Sequence, residues 1–192
     1  MACLKILTVL YVGVIRWQVN VDAFILKNKI YVLKSFVFLI CCSKYFMVNI
    51  SDLSFLKLMS NDWFDDLIIC KFLDLVVQYA NKISDKRCFT FHSHIIDLSR
   101  EFGPQKYIDL YEDVFNDYDL IFLPIHVPSH WVLYIFDTKS NVLEFYDSNG
   151  RQEQKLADVK MFLKYFERTD YKSLKKNVNY QEDSFNCGLY VC

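Results

Sequence analysis

The chain has 192 residues and a mass of 22.9 kDa, a length typical of one domain that buries most of its apolar side chains. Apolar residues make up 53% and charged residues 23% of it, which excludes a disordered chain. The four glycines stand at positions 13, 103, 150 and 188. Phosphate-binding loops need several glycines close together, so we expect no nucleotide chemistry of that kind.

The net charge of −1 combines a basic start with an acidic remainder. Residues 1–50 carry six Lys or Arg and one acid, whereas residues 51–192 carry sixteen Lys or Arg and twenty-two acids. An acidic body binds nucleic acid poorly, because that affinity comes mostly from neutralising phosphates. We therefore expect a protein partner with basic character and no nucleic acid.

The seven cysteines form no C-x-x-C pair and no regular spacing. Neither a disulfide framework nor a zinc site is indicated, and no metal or organic cofactor is expected. Most of these cysteines are interpreted as small buried residues in a reducing intracellular compartment, the nucleus or the cytoplasm.

Residues 1–47 are interpreted as an apolar, basic N-terminal extension. Uncharged runs at 6–15 and 35–43 are far shorter than the roughly 20 residues of a membrane-spanning helix, so no membrane association is expected. A signal peptide is an alternative for the first run, although no small-x-small cleavage site follows it. Their β-branched and aromatic content favours two or three buried strands.

The next segment predicts an amphipathic helix and a turn. The Ser60-Asn61-Asp62 cluster can cap a helix, and apolar residues recur at spacings of three and four from 64 to 79. Gly103-Pro104 predicts a turn. The segments 87–97 and 105–114 on either side of this turn remain ambiguous.

Residues 119–147 predict three strands. The apolar run and the turn signals indicate strands at 120–125, 131–136 and 142–146, with a break at 127–129 and a four-residue hairpin loop at 137–140.

That loop would place His130 directly opposite Asp147, with Cβ atoms about 4.5 to 5.5 Å apart. A carboxylate holding one imidazole nitrogen leaves the other free to take a proton from a nucleophile. The alternative is an ordinary cross-strand polar pair.

A candidate nucleophile lies near the end of the chain. The polar run ends at Asn186, and Gly188 opens an apolar segment, so Cys187 would lie at a helix N-terminus, where backbone amides favour the thiolate. The small Gly188 would let a substrate backbone approach. Gln181 could direct its amide toward a developing oxyanion, whereas Cys192 is interpreted as structural.

These residues resemble the catalytic signature of the Ulp/sentrin-specific cysteine proteases. His130-Trp131, Asp147-Ser148, Gln181 and the segment 186–192 follow in the family's order. Ser51-Asp52-Leu53 with residues 63–68, WFDDLI, is similar to the family's W-L-N-D-x-x-I motif, with Phe for Leu and Asp for Asn. The resemblance covers residues 48–192, and several motifs in one order are more specific than one.

The resemblance implies an α+β fold of the papain-like or adenain-like kind, with a mixed central sheet flanked by helices. It implies His130 as general base, Asp147 as the residue that orients it and Cys187 as nucleophile. Gln181 and the Cys187 amide would form the oxyanion hole.

The resemblance also implies three substrate-binding residues. Trp63 and Trp131 would cover a narrow channel that admits Gly-Gly, and Asp66 would pair with a basic residue on the modifier. The alternatives are ordinary core aromatics and a solvated acid in the first turn of a helix.

The implied activity is a thiol protease that cleaves after the C-terminal Gly-Gly of SUMO or a related ubiquitin-like modifier. The family's domain continues beyond the Cys-Gly motif, so this domain is expected to be incomplete at its C-terminus and its activity is in doubt. A viral-type endopeptidase or an acetyltransferase with a similar His-acid-Cys site is one alternative. An inactive domain that only binds a modifier is another.

Overall fold

The computed structural model describes residues 63–150 and 155–192. The predicted strands within residues 1–47 and the Ser51-Asp52-Leu53 motif lie outside this part of the chain, and the boundary between residues 47 and 48 stays a prediction. The described helices are α1 (Asp66–Ile83), α2 (Ile95–Glu101), α3 (Gln105–Tyr111), α4 (Val114–Asp117), α5 (Leu156–Tyr165) and α6 (Cys187–Val191). The described strands are β1 (Cys88–Thr90), β2 (Leu120–Val127), β3 (His130–Asp137), β4 (Val142–Tyr146) and β5 (Lys172–Lys175).

Helix α1 confirms the predicted amphipathic helix, with a different cap. The Asp65 carboxylate accepts the backbone N–H of Ile68 at 3.0 Å, which satisfies one of the donors that a helix start leaves unpaired. The assignment of the cap to Ser60-Asn61-Asp62 was therefore wrong. The face that α1 buries consists of Ile68, Ile69, Cys70, Leu73, Val77 and Ala80.

The ambiguous segments on either side of the Gly103-Pro104 turn form short elements. Residues 87–97 contain β1 and the start of α2, and residues 105–114 contain α3 and the start of α4. Gly103 has a φ of 84°, a conformation that glycine adopts without strain. The predicted turn is confirmed.

The five strands form one mixed sheet in the order β1-β2-β3-β4-β5. The outer pairs, β1 with β2 and β4 with β5, are parallel, whereas β2-β3 and β3-β4 are antiparallel. Helices flank this sheet, so the predicted α+β class with a mixed central sheet is confirmed.

The connection between β2 and β3 is tighter than predicted. We expected a break at 127–129, but Val127 pairs with His130, and the two strands are joined by Pro128 and Ser129 alone. Proline fixes φ at about −65° and Ser129 takes a φ of 60°, so the two central residues have the φ signs of a type II turn. As a result, β3 begins at His130 itself.

The register between β3 and β4 differs from the prediction by two residues. Asp137 pairs with Val142 and remains in the strand, because its carboxylate accepts the N–H groups of Lys139 and Ser140 and holds the turn that follows. The predicted loop at 137–140 was therefore wrong, and the loop spans 138–141. A shift of two residues keeps every side chain on its face of the sheet.

Both faces of the sheet are covered, and β3 is buried along nearly its whole length, as expected for a strand between two layers. One face packs against α2, α4 and α5 in a core that includes Ile121, Tyr134, Phe136, Phe145 and Phe162. Helix α1 packs on β1 and β2, and α6 packs on β3.

Gly188 is required by the contact between α6 and the start of α1. A Cβ atom at this position would lie 2.8 Å from Cβ of Phe64 and 3.1 Å from Cδ1 of Ile69. Phe64 occupies the space beside Gly188, so this contact, rather than the approach of a substrate backbone, accounts for the small residue.

We expect Gly188→Ala to lower the free energy of unfolding by about 1 to 3 kcal/mol, the usual cost of overpacking a filled core. Denaturant unfolding followed by tryptophan fluorescence measures it. Ser184→Ala, at an exposed position nearby, is the control and should stay within about 0.5 kcal/mol of the parent. An equally small effect of Gly188→Ala would contradict the proposed packing.

Candidate active site

His130 and Asp147 form a buried pair at one end of β3. His130 Nε2 lies 2.6 Å from Oδ1 of Asp147, and both side chains are almost fully buried. His130 is the first residue of β3, and Asp147 directly follows β4. The structure thus brings together the two residues that the sequence paired, although the register places them diagonally rather than directly opposite.

Asn149 is a third member of this group that sequence reasoning missed. Its Nδ2 lies 3.1 Å from Nδ1 of His130, and its backbone N–H donates to Oδ1 of Asp147 at 2.9 Å. Extension of the observed register would place Asn149 opposite His130, so a correct hairpin loop would have indicated it. Both ring nitrogens of His130 therefore have partners.

The two oxygens of Asp147 are in different environments. Oδ1 accepts both the His130 ring and the Asn149 N–H, whereas Oδ2 is buried without a partner among the described residues. Burying a carboxylate oxygen without a partner costs free energy. The hydrogen bonds to Oδ1 offset only part of this cost.

The Cys187 thiol is buried at the start of α6. Burial raises the pKa of this thiol above its ordinary value, whereas the backbone N–H groups of Trp131, Gly188 and Cys187 act to lower it. The amides favour the thiolate as predicted, but desolvation is the larger effect. The pKa of the resting thiol is therefore raised, whereas its position at a helix N-terminus led us to expect a favoured thiolate.

Trp131 connects the nucleophile to the base. Its backbone N–H is directed at the Cys187 thiol, and its neighbour in β3 is His130. Its indole Nε1 donates to the carbonyl of Phe64 at 2.9 Å, and the side chain is only 4% exposed. The structure therefore brings Cys187 and His130 to the same end of β3 and fixes them there through Trp131.

Gln181 is buried beside the strand that leads to Asp147. Its backbone N–H donates to the carbonyl of Ser148 at 2.8 Å, and its Oε1 accepts the Ser148 hydroxyl at 2.9 Å. Its Nε2 donates to the backbone carbonyl and the carboxylate of Asp183, at 2.8 and 3.1 Å. The amide that sequence analysis assigned to an oxyanion is bound to Asp183.

The other predicted substrate-binding residues lie around the N-terminus of α1. Trp63 is 37% exposed and precedes Phe64, whose carbonyl binds the Trp131 indole. Asp66 is the first residue of α1, partly exposed, with its Oδ2 3.9 Å from Nε2 of His92 and 3.5 Å from Nε2 of His94.

Within residues 63–150 and 155–192, no helix combines the length and the apolar character needed to cross a bilayer.

Comparison with known proteins establishes the family. The model of the Ulp1 protease family, C-terminal catalytic domain, matches residues 66–192. The chain belongs to this family, as the order of its motifs indicated.

Known relatives and solved structures agree with that assignment. Sentrin-specific protease 2 of Mus musculus is 21% identical over 169 residues, which cover 78% of this chain and 28% of the mouse protein. A structure of the SUMO protease Ulp1 with its catalytic cysteine oxidised to a sulfinic acid is 26% identical, with a TM-score of 0.61 and coverage of 76% of this chain and 70% of that one.

A C-terminal Ulp1 protease domain in complex with Smt3, the yeast ortholog of SUMO, is also 26% identical. Its TM-score is 0.60, with coverage of 74% of this chain and 68% of that one. These likenesses confirm the predicted fold as that of the Ulp1 proteases. The chain spans less than a third of the length of its mouse relative.

The raised pKa of the Cys187 thiol leads to a prediction for its reactivity. In a Cys192→Ala background, alkylation of Cys187 by iodoacetamide should become about tenfold faster per pH unit between pH 6 and 8, because only the thiolate reacts. Quenched time points and peptide mass mapping measure the rate. A rate that is independent of pH over this range would show instead that the resting protein holds a thiolate.

Proposed function

We propose that this domain is a thiol protease that cleaves after the C-terminal Gly-Gly of SUMO or a related ubiquitin-like modifier, in precursor processing or isopeptide deconjugation. The observation that carries the proposal is the arrangement at the end of β3. There His130 contacts the buried Asp147, and Trp131, the residue after His130, directs its backbone amide at Cys187. Membership of the Ulp1 family and likeness to the Smt3-bound domain support it.

The proposed reaction begins with proton transfer from the Cys187 thiol to His130. Asp147 holds Nε2, so Nδ1 is the nitrogen that takes the proton, and the contact of Asn149 with Nδ1 must be released first. The sulfur then attacks the carbonyl of the terminal glycine, and His130 returns the proton to the leaving amine. Water, activated by the same nitrogen, hydrolyses the thioester and regenerates the thiol.

The oxyanion of the tetrahedral intermediate would be stabilised by the Cys187 amide and by Gln181. In the resting structure the Gln181 Nε2 is bound to Asp183. One of its two N–H groups must therefore turn away from Asp183 when the substrate carbonyl arrives.

Specificity for Gly-Gly would come from the two tryptophans. The Trp131 side chain is fixed by its hydrogen bond to the Phe64 carbonyl, and Trp63, the residue before Phe64, is partly exposed. Together the two indoles can cover an extended backbone that carries no side chain. Asp66 would then pair with a basic residue on the modifier.

The free thiol that this chemistry requires favours a reducing location, the nucleus or the cytoplasm.

Asp147→Asn tests whether the Asp147 carboxylate orients the base, His130. We expect kcat/KM on a SUMO-type precursor to fall by about 10⁴-fold, because the amide can hold the imidazole in the wrong tautomer. Glu144→Gln is the matched control, since Glu144 binds Tyr146 and Lys176 rather than His130, and it should remain within a few-fold of the parent.

Gel-based precursor cleavage measures both variants, with Cys187→Ser as the inactive baseline. Normal activity of Asp147→Asn would contradict the role of this acid. Failure of the parent protein to cleave any Gly-Gly-terminated modifier, while it acts as an endopeptidase or an acetyltransferase, would contradict the proposed function itself.

Trp63→Ala tests the channel. We expect it to lower kcat as well as to raise KM on Gly-Gly substrates, because the covering indole positions the carbonyl against Cys187. It should also relax the rejection of Gly-Ala substrates. Trp131→Phe, which retains most of the buried volume, should show a smaller defect of the same kind.

The measurement is steady-state kinetics on a full-length modifier and on a short Gly-Gly peptide. Asp66→Lys serves as the contrasting variant, because it should weaken only the reaction with the full-length modifier, in a salt-sensitive way. If Trp63→Ala cleaves Gly-Gly at the parent rate and still rejects Gly-Ala, Trp63 does not cover a channel.

A further inference from the structure

Asp66, His92 and His94 bring three potential metal ligands together on the surface. One ligand atom from each of these residues lies within 4.8 Å of the other two. The Asp66 carboxylate is 3.5 Å from His94 and 3.9 Å from His92. All three side chains are about half exposed, so a cation can reach them from solvent.

The local backbone directs both imidazoles toward Asp66. In the turn that follows β1, Phe91 and Ser93 are buried and the two histidines are exposed, and both histidines place a ring nitrogen within 4.8 Å of the Asp66 carboxylate. The intervening Ser93 is bound to α1, since its backbone N–H donates to the Cys70 sulfur at 3.5 Å. Cys70 is one helical turn beyond Asp66, so this contact fixes the histidines next to the carboxylate.

We propose that Asp66, His92 and His94 form a site for a first-row divalent cation, with Zn²⁺ as the best-suited ion. Two imidazoles and one carboxylate, with a further position left for water, are a ligand set typical of zinc. Ligand atoms of a tetrahedral zinc ion lie about 3.3 Å apart. The contacts of Asp66 with the two histidines, at 3.9 and 3.5 Å, are somewhat longer than that separation, so a bound ion would draw the three ligand atoms together.

The charged groups near the site add little to its attraction for a cation. The Asp74 carboxylate interacts electrostatically with His92, but Lys71 lies 3.9 Å from Asp74 and offsets its charge. The attraction for a divalent ion would therefore come mainly from the Asp66 carboxylate itself.

Metal binding would change which ring nitrogen of His92 carries the proton. Its Nδ1 is positioned to accept the backbone N–H of His94 at 3.4 Å, which leaves the proton on Nε2, facing Asp66. A metal on Nε2 requires the proton on Nδ1. Zinc would therefore break this long hydrogen bond and convert His92 to the other tautomer, a change that nitrogen chemical shifts report.

The site would control access of the modifier, and this consequence rests on the proposed function. Asp66 is the acid that we assign to a basic residue of the modifier, so a bound cation would remove the negative charge from that contact. His126 interacts electrostatically with both Asp66 and His94, and its ring lies 4.8 Å from that of Trp131. The metal would thus lie beside the tryptophan that covers the proposed channel.

The primary test is zinc binding to the full chain with Cys187→Ser, which removes the nucleophile as a competing ligand. Nitrogen-15 spectra of the imidazoles resolve at most four histidines. Titration with Zn²⁺ alone should shift the ring signals of His92 and His94 and switch the tautomer of His92. His126→Gln, the matched control, should leave these changes intact.

The double variant His92→Gln/His94→Gln removes two direct ligands. Its zinc affinity, measured by calorimetry, should fall by at least roughly 10- to 100-fold, which is the typical cost of losing only an outer partner of a metal site. Both positions are exposed, so the fold should be retained. Unchanged zinc affinity in the double variant, or shifts confined to other residues, would overturn the metal site.

The second test measures inhibition by zinc of the protein with Cys187 intact. Zinc should inhibit cleavage of full-length modifier more strongly than cleavage of a short Gly-Gly peptide, and the double variant should lose this difference. Equal inhibition of both substrates would overturn the competition with modifier. Zinc binding at the histidines of a protein that cleaves neither substrate would overturn the proposed function while the metal site stands.

Discussion

The burial of Trp131 in β3 is the constraint on which the site depends. Its indole binds the carbonyl of Phe64 at the start of α1, and its backbone amide faces the Cys187 thiol of α6. The residue before it is His130, so one position in a strand buried on both faces sets the relative places of base and nucleophile. Because Gly188 packs against Phe64, the same contact region also fixes the start of α6. Displacement of any of these groups would move the thiol relative to the imidazole.

The His130-Asp147 pair could be predicted from the sequence even though the register was wrong. The error was an even number of residues, so both side chains stayed on the same face of the sheet, and the end of β3 still brought them within 2.6 Å. The register error did hide Asn149, because the predicted loop placed Asp147 rather than Asn149 opposite His130. The position of the loop is set by local hydrogen bonds, here those from two turn amides to the Asp137 carboxylate. The pattern of apolar residues gives little information about such bonds.

The raised pKa of the Cys187 thiol and the role of Gly188 could not be predicted, since both depend on residues distant in the sequence. A helix N-terminus indicates a stabilised thiolate, but it does not reveal how deeply packing buries the sulfur, and burial proves the larger effect. The small residue after the nucleophile is explained by Phe64, more than a hundred positions earlier. The metal-binding group had a visible signal in the His-x-His spacing at 92 and 94, but Asp66 joins it only in the folded chain.

The assignment of Cys187 as nucleophile is tested most directly by mapping the covalent adduct formed with a SUMO-type modifier whose C-terminal Gly-Gly carries an electrophile. We expect a single adduct in the intact mass, with the modifier attached to the sulfur of Cys187 in the peptide spectra, and no adduct in Cys187→Ser. An adduct on any of the other six cysteines, or one that persists in Cys187→Ser, would contradict the assignment of the nucleophile and with it the account of how β3 organises the site.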